Sequence, residues 1–167
     1  MATKCLFSSV AFALFLSHSY AMTSFELHNI NEAHKQGFTG KGVTIGIIDD
    51  LFNPQHPLFD KDKFISVNNN TGTQNKNHGN HVSGIAAGSS TDGANYGVAK
   101  DSGIVAYGNL GSGATDKFNE LVNKNVKVVN NSHTANWADL QKYAKEKDML
   151  IIYAAGNNGA LKPTSAA

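Results

Sequence analysis

Residues 43–48, Val-Thr-Ile-Gly-Ile-Ile, form an apolar run interrupted only by Thr44 and Gly46, and the run stops on Asp49. A strand with one wet face alternates apolar and polar side chains. A continuous run of this length fits a strand covered on both faces, as in a parallel sheet. Parallel strands need crossovers long enough to hold a helix, and the chain supplies them. Apolar runs at 104–107 and 150–154, and the Val-rich stretch 126–129, read as further strands. Helical spacing appears at 78–87, with Val82, Ile85 and Ala86 on one face, and again at 138–146. It also appears at 115–124, with Asp116 near the start and Lys124 near the end, as the helix dipole favours. Residues 25–36 read as one short helix, and Gly37, Gly40 and Gly42 as the turn into the first strand. The Asn-rich stretch 68–77 reads as a polar loop. This order implies an α/β class, with a parallel β-sheet flanked by helices and built from right-handed βαβ units.

The first 21 residues stand outside that pattern and read as a secretory signal peptide. Lys4 precedes an apolar run over 5–16, and Ser19-Tyr20-Ala21 places small residues where a signal peptidase cleaves. The run is about twelve residues, short of the roughly twenty that span a bilayer. Cys5 precedes the run instead of following it, which does not suit a lipoprotein. Cleavage after Ala21 leaves residues 22–167 as the mature chain, with no cysteine and no membrane span. An exported chain without cysteine suits a bacterium, so the expected place is outside the cell, in the periplasm or at the cell surface. With Lys and Arg totalling 14 against 13 acidic residues, the net charge of +1 leaves no electrostatic footprint for nucleic acid.

In open parallel sheets, functional groups gather at the carboxyl ends of strands. That rule singles out Asp49, residues 130–132 and residues 156–158. An Asp closing a buried strand is either a loop-capping acid or a fixed charge with a task. His78-Gly79-Asn80-His81-Val82-Ser83-Gly84 opens a helix. A His there has its pKa lowered by the positive helix end and is available as a neutral base. The same segment also reads as a polar helical turn, or as a metal pair, since His78 and His81 are three apart. No Glu or third His follows at zinc-protease spacing. Gly79 lets another backbone approach, and Gly84 lets the helix pack tightly. Tyr153-Ala154-Ala155-Gly156-Asn157-Asn158-Gly159 reads either as a strand-to-loop turn or as a backbone brought close to a ligand, with an Asn side chain to donate. A nucleotide-binding reading fails on position: the glycines at 37, 40 and 42 precede the first strand, whereas a dinucleotide fingerprint follows it.

Together and in this order, these segments resemble the subtilisin-like serine proteases (subtilases, peptidase S8). Residues 40–49, ending Ile47-Ile48-Asp49, resemble the segment that carries the family's catalytic Asp. His56-Pro57-Leu58 follows as the family's His-Pro does. Residues 78–87 are similar to the catalytic-His motif, Gly97-Val98-Ala99 and 104–107 to the next strand, Val129-Asn130-Asn131-Ser132 to the substrate-binding strand, and Ala154-Ala155-Gly156-Asn157 to the oxyanion-hole segment. The resemblance runs from about Asn29 to Gly159, and the Asn-Asn-Ser wording with the signal peptide leans toward the bacterial secreted or autotransporter branch. It implies a three-layer subtilisin-like fold, present in part, and a secreted endopeptidase acting on polypeptides. It also implies the triad order Asp, His, Ser. Asp49 would orient His78, His78 would act as base and then acid, and Asn157 would donate to the oxyanion. Asn131 and Ser132 would bind substrate backbone, with Gly111 and Gly113 on an opposing strand, and His81 would support the site. Calcium is common in the family, but the resemblance assigns no ligand set here.

Three departures bear on activity. The family's Gly-Thr-Ser nucleophile motif is absent from these 167 residues; Ser165 has no preceding Gly and no following Pro, and lies too close to Asn157. Asp50-Leu51 replaces the usual Ser/Thr-Gly, which adds a charge beside Asp49. Ser132-His133-Thr134 places bulk where Gly is expected. The expectation is therefore an N-terminal portion of a catalytic domain, truncated before its Ser, inactive as an isolated chain and with apolar surface exposed. The alternative expectation is a non-catalytic, peptide-binding remnant of a decayed protease.

Overall fold

The computed structural model describes residues 23–69, 76–89, 97–108, 114–132 and 138–157. Strands β1 (Thr44–Asp49), β2 (Phe64–Asn69), β3 (Gly103–Gly108), β4 (Val128–Asn131) and β5 (Leu150–Tyr153) form one sheet in the order β2-β3-β1-β4-β5. Every neighbouring pair is parallel. From β1 the chain goes first to the edge strand β2, returns to place β3 between the two, then crosses to the other side of β1 for β4 and β5. The winding reverses at β1, so the carboxyl end of this central strand opens the crevice in which such sheets carry their sites.

The alternation along β1 and β3 explains why both read as unbroken apolar runs. Ile47, Ile104 and Ala106 point to one face and pack with Phe52, Phe59 and Ala87. Ile48, Val105 and Tyr107 point to the other and pack with Phe118, Leu121, Val126, Val129, Ala144 and Met149. Helix α3 (Lys76–Ala87) covers the first face, and α4 (Ala114–Asn123) with α5 (Ala138–Glu146) covers the second. The result is three layers, as expected of the α/β class.

Three readings of the sequence need correction. Residues 25–36 are two helices, α1 (Ser24–Leu27) and α2 (Ile30–Lys35), because Asn29 takes a left-handed conformation at φ 55° that no helix continues through. Thr23 and Glu26 close α1 with a reciprocal capping box, which helps so short a helix hold. The polar stretch 68–77 is not all loop: Asn68 and Asn69 end the edge strand β2, while Lys76 and Asn77 open α3. On α3, Ile85 is exposed, while Val82 and Ala86 pack partly buried against the core as expected, beside the buried Gly79, Asn80, Ser83, Gly84 and Ala87, so the helix meets the sheet on a face of mostly small residues.

That small face has a specific cause at Gly79. A Cβ there would lie 2.6 Å from the Leu51 carbonyl oxygen and 3.1 Å from the Phe52 ring, so the backbone after β1 passes directly against α3. Gly84 is different: a Cβ would meet only Leu58, at an ordinary 3.4 Å. Gly79→Ala is thus expected to destabilise the chain by about 1–3 kcal/mol through overpacking against backbone. Gly84→Ala is expected to be neutral, or stabilising by up to about 1 kcal/mol from helix propensity. Urea midpoints of the two variants test this, and equal shifts would contradict it.

On β5, Leu150 and Ile152 are exposed, and Val43, Ile65, Ile85 and Val98 add further exposed apolar side chains. No helix among the described residues is long and apolar enough to cross a membrane.

Candidate active site

The last residue of the central strand, Asp49, is fully buried. A carboxylate in that position needs hydrogen bonds to its charged form. One comes from the next residue, whose N–H donates to Asp49 Oδ1 at 2.7 Å. The other comes from His78, whose Nδ1 lies 2.5 Å from the same oxygen. Since the carboxylate accepts, Nδ1 carries the proton, and Nε2 is left as the nitrogen for proton exchange. The His78 side chain is 52% exposed, so the pair runs from the sheet interior to the surface.

The turn after Asp49 is clamped on all sides. Gly108, at the end of β3, lies so close to the Asp50 carbonyl that a Cβ would sit 2.6 Å from its oxygen, and Gly79 takes the Leu51 carbonyl in the same way. Asn69 at the end of β2 accepts from Phe52 N–H and donates to Phe52 C=O, both at 2.9 Å. Asn80 on α3 accepts from Asn53 N–H at 2.9 Å. Three elements therefore hold the loop that joins the Asp-bearing strand to the rest of the site. Asn69 and Asn80 escape sequence reasoning, because each reads as one more polar residue in an Asn-rich stretch.

The remaining predicted residues meet at the same sheet end. Asn131 pairs with Ile48 on one side and Tyr153 on the other. Its side chain is buried and its carbonyl accepts from Ala154 N–H at 3.1 Å, so it shapes the strand end from inside. Ser132 donates its N–H to the Ile48 carbonyl at 3.3 Å, and its Oγ accepts from Asn130 Nδ2 at 2.9 Å. Past β5, Gly156 takes φ 94° and Asn157 is exposed. His81 is exposed on α3. The signal segment, Gly111, Gly113, His133, Thr134, Asn158 and Ser165 lie outside the described residues.

The helix-start argument predicts a lowered pKa for His78, and the structure reverses it. The hydrogen bond to Asp49 holds the imidazolium above the usual histidine range, with the Asp49 and Asp50 charges adding to it and partial burial opposing it. His78 is the third residue of α3, and a directly bonded carboxylate outweighs the diffuse helix end. A raised folded-state value means the pair's stabilisation is fully present below the ordinary imidazole pKa. It is lost as pH rises through the folded value. In an NMR titration, the His78 ring should titrate above the ordinary imidazole value, and Asp49→Asn should move it down. A midpoint unmoved by Asp49→Asn would refute the assignment.

Among the described residues, one group of three His or acidic side chains brings its ligand atoms together: Asp49, Asp50 and His78. With an imidazole in the set it does not fit calcium, which takes oxygen ligands, and calcium enters no step below.

Comparisons with known proteins agree with this geometry. An extracellular serine protease of Serratia marcescens is 34% identical over 108 residues, covering 60% of this chain and 10% of that protein. A subtilisin of Bacillus sp. (strain TA39) is 32% identical over 155 residues, covering 77% of this chain and 37% of the relative. Among solved structures, MycP1 with its N-terminal propeptide removed superposes with a TM-score of 0.55 at 25% identity, over 81% of this chain and 49% of that one. The chain thus spans at most about half the length of each of these three proteins. The model described as "Subtilase family" matches residues 40–167, most of the chain, and the protein belongs to the subtilase family.

Proposed function

We propose that residues 22–167 are the Asp- and His-bearing part of a secreted serine endopeptidase, with residues 1–21 its signal peptide. The observation that carries this is the buried Asp49 hydrogen-bonded at 2.5 Å to a half-exposed His78 at the switch point of a parallel sheet. In this reading His78 Nε2 takes the proton of a serine hydroxyl as that oxygen attacks the substrate carbonyl, then returns it to the leaving amine. Asp49 holds the tautomer and stabilises the imidazolium. The Asn157 side-chain amide donates to the oxyanion, and Ser132, with Gly111 and Gly113 opposite, pairs with an extended substrate backbone. Asn131 supports this from beneath.

The nucleophile is the missing part. With no Gly-Thr-Ser in these 167 residues, the reading places the serine in sequence beyond them, in keeping with the fraction of its relatives' length that the chain spans. The isolated chain is then expected to show no casein hydrolysis above its His78→Ala variant; cleavage lost on His78→Ala would overturn that. Secretion is supported by the relative named as extracellular, and the exported product is expected to begin at Met22 by mass and N-terminal sequencing.

The test of the whole reading is the DNA past codon 167. An in-frame Gly-Thr-Ser with a nearby Pro is expected. In the product of that frame, His78→Ala should lower kcat by roughly 10⁴–10⁶-fold. Asn157→Ala should lower it by roughly 10²–10³-fold, the loss known for such a donor in a subtilisin itself. Because the base works in its neutral form, activity should rise with pH through the raised His78 value. A full-frame product whose activity is indifferent to His78→Ala would refute the mechanism.

A further inference from the structure

We infer that Asn69 is a positioning residue for the Asp49–His78 pair, aimed at its turn by an irregularity in the edge strand. Strand β2 pairs with β3 in regular register from Ser66 to Asn69. Before that, Phe64 pairs with Ile104 and Ser66 with the next residue, Val105, so Ile65 is an extra residue. Such a bulge reverses the side-chain alternation that follows it and re-aims side chains. Phe64 and Val67, three apart, therefore both pack on the α3 face of the sheet. Ser66 turns to the other face, where its hydroxyl donates to Glu120 of α4 at 3.4 Å. Asn69, two residues past Val67, shares the α3 face. In an unbulged strand Asn68 would stand in its place opposite Gly108.

The register then sets three strand ends in one row. Asn69 lies opposite Gly108, and Gly108 opposite Asp49. A Cβ at Gly108 would lie 3.1 Å from Asn69 Oδ1, so the missing side chain leaves the carboxamide its path to the turn beyond Asp49. There the carboxamide accepts from the N–H of Phe52 and donates to its C=O, as the main chain of a neighbouring strand would.

Holding Phe52 acts on both members of the pair. Two residues earlier, the Asp50 N–H donates to Asp49 Oδ1 and so orients the carboxylate. One residue earlier, the Leu51 carbonyl is the surface against which α3 packs at Gly79, next to His78. Asn80 holds the same turn through Asn53, but it rides on α3 with His78. Asn69 belongs to neither β1 nor α3, so it fixes the turn from outside both partners. That the pair is catalytic rests on the proposed proteolytic role; that Asn69 places it rests on these contacts alone.

The test is the pH titration of the His78 ring by NMR in the purified chain. Asn69→Ala is expected to move the midpoint down by at least about half a pH unit, as the hydrogen bond to Asp49 loosens. Asn69→Leu keeps the shape of the side chain but neither bond, and is expected to do the same. Asn68→Ala, one residue back on the opposite face, should leave the midpoint unmoved. Val126→Ala, a buried truncation before β4 at the other end of the sheet, should lower the melting temperature and still leave the midpoint in place. That control separates placement of the pair from loss of stability. A His78 midpoint unmoved in both Asn69 variants overturns the inference, as does an equal shift in Val126→Ala. Peptide hydrolysis enters none of these readouts, so failure here and failure of the proteolytic reading are distinguishable.

Discussion

The site depends on one buried charge. Asp49 is at zero exposure at the end of the central strand, and an isolated ionised carboxylate in such a place is prohibitive. It is held by the N–H of its own neighbour and by the imidazole of a residue 29 positions on. Both partners bind Oδ1, so the compensation is lopsided: one oxygen is doubly served and the other is enclosed without a hydrogen-bond partner among the described residues. Much of the surrounding architecture can be understood as what it takes to bring His78 to that oxygen and keep it there.

The route runs through backbone contact. For α3 to present His78 to the end of β1, the helix must press against the turn that follows Asp49. A side chain at position 79 would stop this, and one at position 108 would push the same turn away from the other side. Asn69 and Asn80 then fix the turn by bonding its main-chain groups, replacing the ladder hydrogen bonds that the strand has given up. Close packing of this kind converts a sub-ångström requirement at the site into a requirement for particular small residues some distance along the chain.

Strands covered on both faces were the easiest elements to read, because burial on both sides leaves no polar position to confuse the pattern. β1 and β3 fell within a residue or two of their expected bounds, and α5 fell on 138–146 as predicted. The edge strand β2 went unread: one of its faces is wet, its end is Asn68-Asn69, and composition there resembles a loop. The split between α1 and α2 turned on the backbone of one Asn. The apolar face assigned to α3 was wrong for Ile85 alone: Val82 and Ala86 do pack on the core, but most of the buried face is small or polar residues that carry little hydrophobic signal. The direction of the His78 shift was misjudged for a related reason: the helix end is visible in sequence, but the carboxylate that overrides it arrives from another strand.

By itself, then, the sequence determined the α/β class, the parallel sheet and the carboxyl-end positions of Asp49, Ser132 and Asn157, since these follow from periodicity and strand order alone. Its motifs also marked the family. Only the tertiary structure decided which charge meets which imidazole, on which oxygen, and how Asp50 joins them. Those facts depend on distances between segments far apart in the chain, and such distances are set by how closely two backbones can approach, not by any pattern along one of them.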